Sequence, residues 1–229
     1  MGAVTFYFGT MNCGKSTLAL QMAHNARAAG QSVLLFSKLD RAGAVISSRI
    51  GLSQPATTVG DDLDLHHHVV GCIEAGGPVD ELIVDEAQFL SPSQVDQLAR
   101  LADERDLQVR CFGLLSDFQT RLFPGSQRLL ELADQREELQ LAARCWCGER
   151  GTHNARTLRG RIVRDGAQVV VGDVDDSAVA YEVLCRHHHR EGITRRTADT
   201  PEDVGGATAT ASPVPAERAR PAPTSSRQK

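Results

Sequence analysis

Gly9-Thr10-Met11-Asn12-Cys13-Gly14-Lys15-Ser16 reads GxxxxGKS, and its flanks decide what the pattern means. Before it runs Val4-Thr5-Phe6-Tyr7-Phe8, a β-branched and aromatic stretch of strand character. After it, Thr17-Leu18-Ala19-Leu20-Gln21-Met22-Ala23 has the composition of a helix beginning. Strand, glycine-containing loop and helix in that order make a phosphate-binding loop. The glycines let main-chain N–H groups turn inward around β- and γ-phosphates, and the helix N-terminus adds partial positive charge. Lys15 neutralises phosphate charge, and the Ser16 hydroxyl can ligate Mg²⁺. A plain turn would account for the glycines but leave Lys15 and Ser16 without a role.

Outward from the loop, Val33-Leu34-Leu35-Phe36, Leu82-Ile83-Val84 and Val109-Arg110-Cys111-Phe112 are further strand candidates, separated by helical patterns over 62–75 and 92–105. Short apolar strands alternating with helices imply an α/β fold of the P-loop NTPase (RecA-like) type, a mostly parallel sheet with helices on both faces. The second helix announces its own start. Ser91 is the N-cap, Pro92 takes the first helical position and Gln94 completes a Ser-x-x-Gln capping box. Val95, Leu98, Leu101 and Ala102 then share one face, which packs on the sheet. Residues 40–55, rich in Ser and Gly and poor in periodicity, read as a mobile loop, and His66-His67-His68 as a solvated helix face.

The chain has 229 residues, 41% of them hydrophobic, enough for one sizeable core and a small appended module. A net charge of −4 gives no electrostatic footprint for nucleic acid or an anionic membrane. No apolar run approaches the roughly 18 residues needed to cross a bilayer, and the first strand leaves no room for a signal peptide. A cytoplasmic protein with a small-molecule partner is expected. The six cysteines, at 13, 72, 111, 145, 147 and 185, are neither dense nor placed for a disulfide scaffold. Cys72 and Cys111 read as buried core thiols. Cys13 has two readings, a small side chain tolerated in the loop or a thiol of lowered pKa beside Lys15 and a helix N-terminus; the first is the simpler. From about Thr197 the chain holds Pro, Ala, Thr, Ser and Gly with almost no large apolar side chain, too little to offset the entropy of ordering. The expected organisation is a P-loop α/β domain over 1–142, a small module over 143–192 and a disordered tail over 193–229.

Leu82-Ile83-Val84-Asp85-Glu86-Ala87-Gln88-Phe89 carries the second half of the phosphate chemistry. An apolar strand ending in Asp-Glu puts two carboxylates at the C-terminal edge of a parallel sheet, where the phosphate loop also opens. This is a Walker B arrangement. Asp85 would hold the Mg²⁺ shell, directly or through water, and Glu86 is the natural general base for the hydroxyl or water that attacks the γ-phosphate. The ATP and Mg²⁺ site is therefore assigned to Gly9, Thr10, Met11, Asn12, Cys13, Gly14, Lys15, Ser16 and Thr17, with Asp85 and Gln88 from the acidic strand end.

Cys145-Trp146-Cys147-Gly148 and Cys185-Arg186-His187-His188 form a Cys-x-Cys and a Cys-x-x-His pair, separated by β-like sequence such as Gln168-Val169-Val170-Val171. Two knuckles joined by strands describe a zinc ribbon, in which Cys₃His closes a structural Zn²⁺ site. Cys145, Cys147, Cys185 and His188 are the favoured ligands, with His187 or His189 able to substitute for His188. A redox-active thiol pair is the competing reading. Zinc binding can contribute on the order of 10 kcal/mol to ordering so small a module.

Taken in order, the P-loop, Val-Asp-Glu-Ala-Gln-Phe, Asp117-Phe118-Gln119, the zinc ribbon and the ending from Tyr181 to Cys185-Arg186 resemble the zinc-containing P-loop thymidine kinases, over roughly residues 2–190. The resemblance implies transfer of the ATP γ-phosphate to the 5′-hydroxyl of thymidine or deoxyuridine, with Glu86 as general base, a homotetramer, and feedback inhibition by thymidine triphosphate (dTTP). Carried over by position, Met11, Phe89, Leu114 and Phe118 form the apolar pocket around the base, and Tyr181 stacks on the thymine. Residues 172–181 resemble the family's lasso over the nucleoside, whose main-chain groups read the pyrimidine edge. Departures are a Cys-x-Cys for the usual Cys-x-x-Cys, a histidine as last metal ligand, a longer lasso, and Asn154 where threonine is common. A nucleic-acid-dependent P-loop ATPase with the same Asp-Glu-Ala-Gln strand end is the rival, although a helicase needs a second motor domain and the net charge is acidic.

Overall fold

The computed structural model describes residues 1–38, 44–139, 143–168 and 179–199. In chain order the elements are β1 (Ala3–Gly9), α1 (Lys15–Ala28), β2 (Val33–Ser37), β3 (Val45–Ser47), β4 (Ser53–Pro55) and β5 (Thr57–Thr58). Then come α2 (Leu65–Glu74), β6 (Glu81–Asp85), α3 (Pro92–Arg105), β7 (Gln108–Leu114), α4 (Pro124–Leu132) and β8 (Gln135–Glu138). The chain continues through β9 (His153–Leu158), β10 (Arg161–Ile162), β11 (Val179–Leu184), α5 (Arg186–Glu191) and α6 (Arg195–Ala198).

Six strands lie side by side in the order β5-β2-β6-β7-β1-β8, and each neighbouring pair is parallel. Successive residues of a strand face opposite ways, so near-continuous apolar runs bury both faces. Val4, Phe6, Leu82, Val84, Val109 and Cys111 enter one core with Leu98 and Leu101 of α3 and Leu129 of α4. Tyr7, Val33, Leu35, Ile83 and Phe112 enter the other, with Ala19, Leu20 and Ala23 of α1. Tyr7 and Phe112 stack there with centroids 4.8 Å apart. Each fully buried Leu, Ile or Phe contributes roughly 2 kcal/mol, so the two cores fix the register of β1, β6 and β7, whose C-terminal ends carry the site. The α/β P-loop expectation holds. The sheet edges are blunted against pairing: β5 is two residues long, and all four residues of β8, Gln-Arg-Glu-Glu, are exposed.

Helix α3 starts as its sequence predicts, with both bonds of the capping box formed between Ser91 and Gln94. Three local expectations change. Residues 45–47 and 53–55 pair as an antiparallel hairpin instead of lying in a mobile loop, because Ile46 is fully buried against the α1 side of the sheet. Three-residue strands are too short to display a period. The histidine triplet is only partly solvated: His66 pairs with Glu104 at 3.0 Å, and the His68 ring meets the edge of Phe36. Cys72 is half-buried, whereas Cys111 is fully buried and its thiol is pushed up to about 12 by desolvation.

A second, three-stranded antiparallel sheet, β10-β9-β11, carries the C-terminal chemistry. Its buried apolar cluster comprises Cys145, Ala155 and Leu184, with Ile162 and Cys185 beside them. It meets the large sheet's loops through Asn154, which accepts from the Met11 N–H at 2.9 Å, and through His189, whose Nε2 lies 3.2 Å from the Phe118 carbonyl. Residues 193–199, at the start of the expected tail, contain α6, capped by Thr194; residues 200–229 lie outside the described residues.

Candidate active site

The phosphate loop runs from the end of β1 into α1, and two residues in the left-handed region make its turn, Asn12 (φ 65°) and Gly14 (φ 81°). At Gly14, the residue immediately before the helix, a side chain would be strained. Lys15 is buried, its Nζ donating to the Thr10 carbonyl at 2.8 Å and lying 3.8 Å from the Cys13 sulfur. Cys13 is itself buried, in keeping with the simpler of its two readings.

From the neighbouring strand end, Asp85 faces this loop. Its carboxylate accepts from the Glu86 N–H at 3.0 Å, and the Ser16 hydroxyl stands close enough to lower its pKa. Burial and then the adjacent Glu86 charge raise its pKa to about 6, against the lowering effects of Ser16, the Glu86 N–H and Lys15. Loop and acidic strand end therefore share one edge of the sheet. Glu86 sits at φ 54°, a left-handed conformation that costs a non-glycine residue about 1 kcal/mol and turns the chain out of β6 into the 3₁₀ turn Ala87–Phe89. Gln88, with no exposed surface, donates from Nε2 to the Glu86 carboxylate and accepts the Leu114 N–H at 3.0 Å. The amide ties the proposed base to the end of β7.

Two of the residues assigned to the base pocket share a partner. Phe118 and Tyr181 both meet one guanidinium, that of Arg156, and Met11 is joined to Asn154. Leu114 is half-buried at the end of β7, and the ring contact of Phe89 is with Phe123, 5.4 Å away. Residues 169–178, the larger part of the expected lasso and of the β-like stretch before it, lie outside the described residues. Arg156, Gln168 and His189 carry contacts that the sequence reading assigned to none of them. Arg156 is buried in a strand whose neighbours Ala155 and Thr157 are buried too, so alternation gives no signal. A cavity of about 740 Å³ that includes Asn12, Trp146 and Tyr181 in its wall contains none of Lys15, Asp85 or Glu86, so it is not the phosphate site.

The metal cluster forms. The ligand atoms of Cys145, Cys147, Cys185 and His188 all lie within 4.8 Å of one another. His188 Nδ1 is 3.3 Å from the Cys145 sulfur and 3.5 Å from that of Cys185. Tetrahedral zinc with bonds of about 2.0 to 2.3 Å has ligand-to-ligand edges of about 3.5 Å, so these donors fit it. His188 is the histidine of the cluster, since His189 is turned to the Phe118 carbonyl and His187 is exposed. The Cys-x-Cys knuckle is closed by the Gly148 N–H donating to the Cys145 carbonyl, with Gly148 at φ 91°. Trp146, the residue between the cysteines, stacks on His188 with centroids 4.2 Å apart.

A family model described as thymidine kinase matches residues 2–189, from the strand before the phosphate loop to the metal cluster. The chain belongs to the thymidine kinase family. A thymidine kinase of Streptomyces coelicolor is 56% identical over 201 residues, covering 86% of this chain and 93% of that one. One from Streptomyces avermitilis has the same identity and coverage, and one from Cutibacterium acnes is 52% identical over 196 residues, 85% of this chain and 91% of that one. Membership of the thymidine kinase family makes the chain an ATP-dependent kinase and disfavours the nucleic-acid-dependent ATPase. No helix among the described residues is long and apolar enough to cross a membrane.

Proposed function

We propose that this protein transfers the γ-phosphate of ATP to the 5′-hydroxyl of thymidine, and of deoxyuridine, to give the nucleoside monophosphate. One observation carries the reading: β1, which leads into the phosphate loop, and β6, which ends at Asp85 beside Glu86, finish on the same edge of the parallel sheet, with Ser16 near Asp85. Glu86 accepts the proton of the 5′-hydroxyl as its oxygen bonds to the γ-phosphorus and ADP leaves. Gln88 holds the carboxylate that does this. Lys15 and the main-chain amides of Gly9 to Thr17 receive the phosphate charge, and their work is placement and charge stabilisation in a buried site. Mg²⁺, held by Ser16 and Asp85, would draw further charge from the β- and γ-phosphates when bound.

The base is assigned to Met11, Phe89, Leu114, Phe118 and Tyr181, with main-chain groups of 172–181 reading the pyrimidine edge. A site that pairs its buried polar groups with one base edge rejects bases that leave them unpaired. Zinc on Cys145, Cys147, Cys185 and His188 has a structural role, because four protein ligands leave no open position. Division into a domain over 1–142, a module over 143–192 and a tail, a homotetramer, inhibition by dTTP and a cytoplasmic setting belong to the same proposal.

Purified protein incubated with ATP, Mg²⁺ and thymidine should yield thymidine monophosphate at a rate unaffected by added DNA or RNA. No product above a no-enzyme control, with ATP hydrolysis stimulated by nucleic acid, would overturn it.

A further inference from the structure

Arg156 on β9 is 4% exposed, and no carboxylate among the described residues pairs with it. A buried guanidinium must spend its N–H donors on something, since it cannot lose its charge. Here Nε donates to the Tyr181 hydroxyl at 3.0 Å. One terminal nitrogen donates to the Ala167 carbonyl at 2.9 Å and the other to the Gln168 carbonyl at 3.2 Å. The plane lies over the Phe118 ring, 3.9 Å from its centroid, and the Tyr181 centroid is 5.6 Å away. Gln168 is held a second time, its side chain donating to buried Asp117 at 3.0 Å.

One side chain thus joins three segments distant in sequence: the turn carrying Phe118, the strand carrying Tyr181 and the chain at 167–168. The two rings are those given to the nucleoside base above, and the inference rests on that reading. We propose that Arg156 is a positioning residue for nucleoside affinity, setting the spacing and tilt of Phe118 and Tyr181 without touching the phosphates. Only a planar fork meets these partners at once. A lysine keeps the charge but offers one point donor and no flat face for the Phe118 ring.

The test is steady-state kinetics with each substrate varied in turn, on wild type, Arg156→Lys, Tyr181→Phe and the double variant, with melting temperatures in parallel. Arg156→Lys should raise the thymidine KM at least tenfold while leaving the ATP KM within twofold. Tyr181→Phe, which keeps the ring and removes the acceptor, should raise the thymidine KM about threefold and add less than that in the Arg156→Lys background. An unchanged thymidine KM in Arg156→Lys, or both KM values rising together with a fallen melting temperature, overturns the proposal by making the residue merely structural. If Arg156→Lys does not fold, Tyr181→Phe decides alone, and a thymidine KM equal to wild type in that variant overturns it. A wild-type protein that does not phosphorylate thymidine at all sinks the underlying functional reading instead.

Discussion

The Ser16 hydroxyl stands close enough to the Asp85 carboxylate to lower its pKa, which brings the first turn of α1 to the end of β6. That contact does not fully offset the burial of Asp85, whose pKa stands raised at about 6 from an ordinary 3.8. Between those values the folded protein binds more protons than the unfolded chain, so this carboxyl lowers stability as pH rises through the window, and the loss persists above it. A shift of this size corresponds to about 3 kcal/mol. Without Mg²⁺ and nucleotide, Asp85→Asn should therefore be more stable than wild type at pH 8 by about that amount, with the difference vanishing near pH 4. Urea unfolding at the two pH values measures it, and equal stability at pH 8 would show the charge to be compensated. Kinase activity should be lost in the same variant.

Glu86 is bound by Gln88 and sits beside the buried Asp85 without being buried itself. Glu86→Gln keeps shape and hydrogen-bonding capacity and removes the basicity. We expect kcat to fall by about 10² or more with the ATP KM nearly unchanged, because a base acts in the transition state and contributes little to ground-state binding. Wild-type turnover in this variant would remove Glu86 from the role.

Gly113 explains how Gln88 can lie flat against β7. A Cβ there would stand 2.9 Å from Gln88 Oε1 and 3.0 Å from its main-chain nitrogen. Gly113→Ala should cost about 1 to 3 kcal/mol through overpacking and lower kcat by displacing the amide that holds Glu86. In a strand of ordinary space the same change would stabilise the fold by restricting the unfolded chain, so a raised melting temperature would refute the contact.

The metal cluster carries a stability prediction. The apolar cluster of Cys145, Ala155 and Leu184 is too small to hold β9 and β11 unaided, so the protein should purify with one zinc per chain. Chelation, or Cys147→Ser, should expose the region after residue 143 to limited proteolysis and raise the thymidine KM more than the ATP KM. Active enzyme carrying less than about a tenth of an equivalent of zinc, when purified under reducing conditions, would rule the metal out.

Much of this architecture is written in short stretches. The phosphate loop, the Ser91 cap and the apolar run before Asp85 depend on neighbours within a few residues, and each appears in the fold where local chemistry places it. The hairpin around Ile46 and the edge contact of His68 escaped because each rests on one side chain meeting a distant surface.

By itself the sequence determined the parallel strands, the glycine-containing loop between β1 and α1, the acidic strand end and the presence of a cysteine and histidine cluster, since spacing and alternation encode all four. Tertiary structure alone decided that Ser16 reaches Asp85, that His188 completes the cluster while His189 turns to Phe118, and that Arg156 joins Phe118 to Tyr181. Those contacts bring together groups far apart in the chain, and their geometry is set by how strands, helices and loops pack on one another, which no local pattern records.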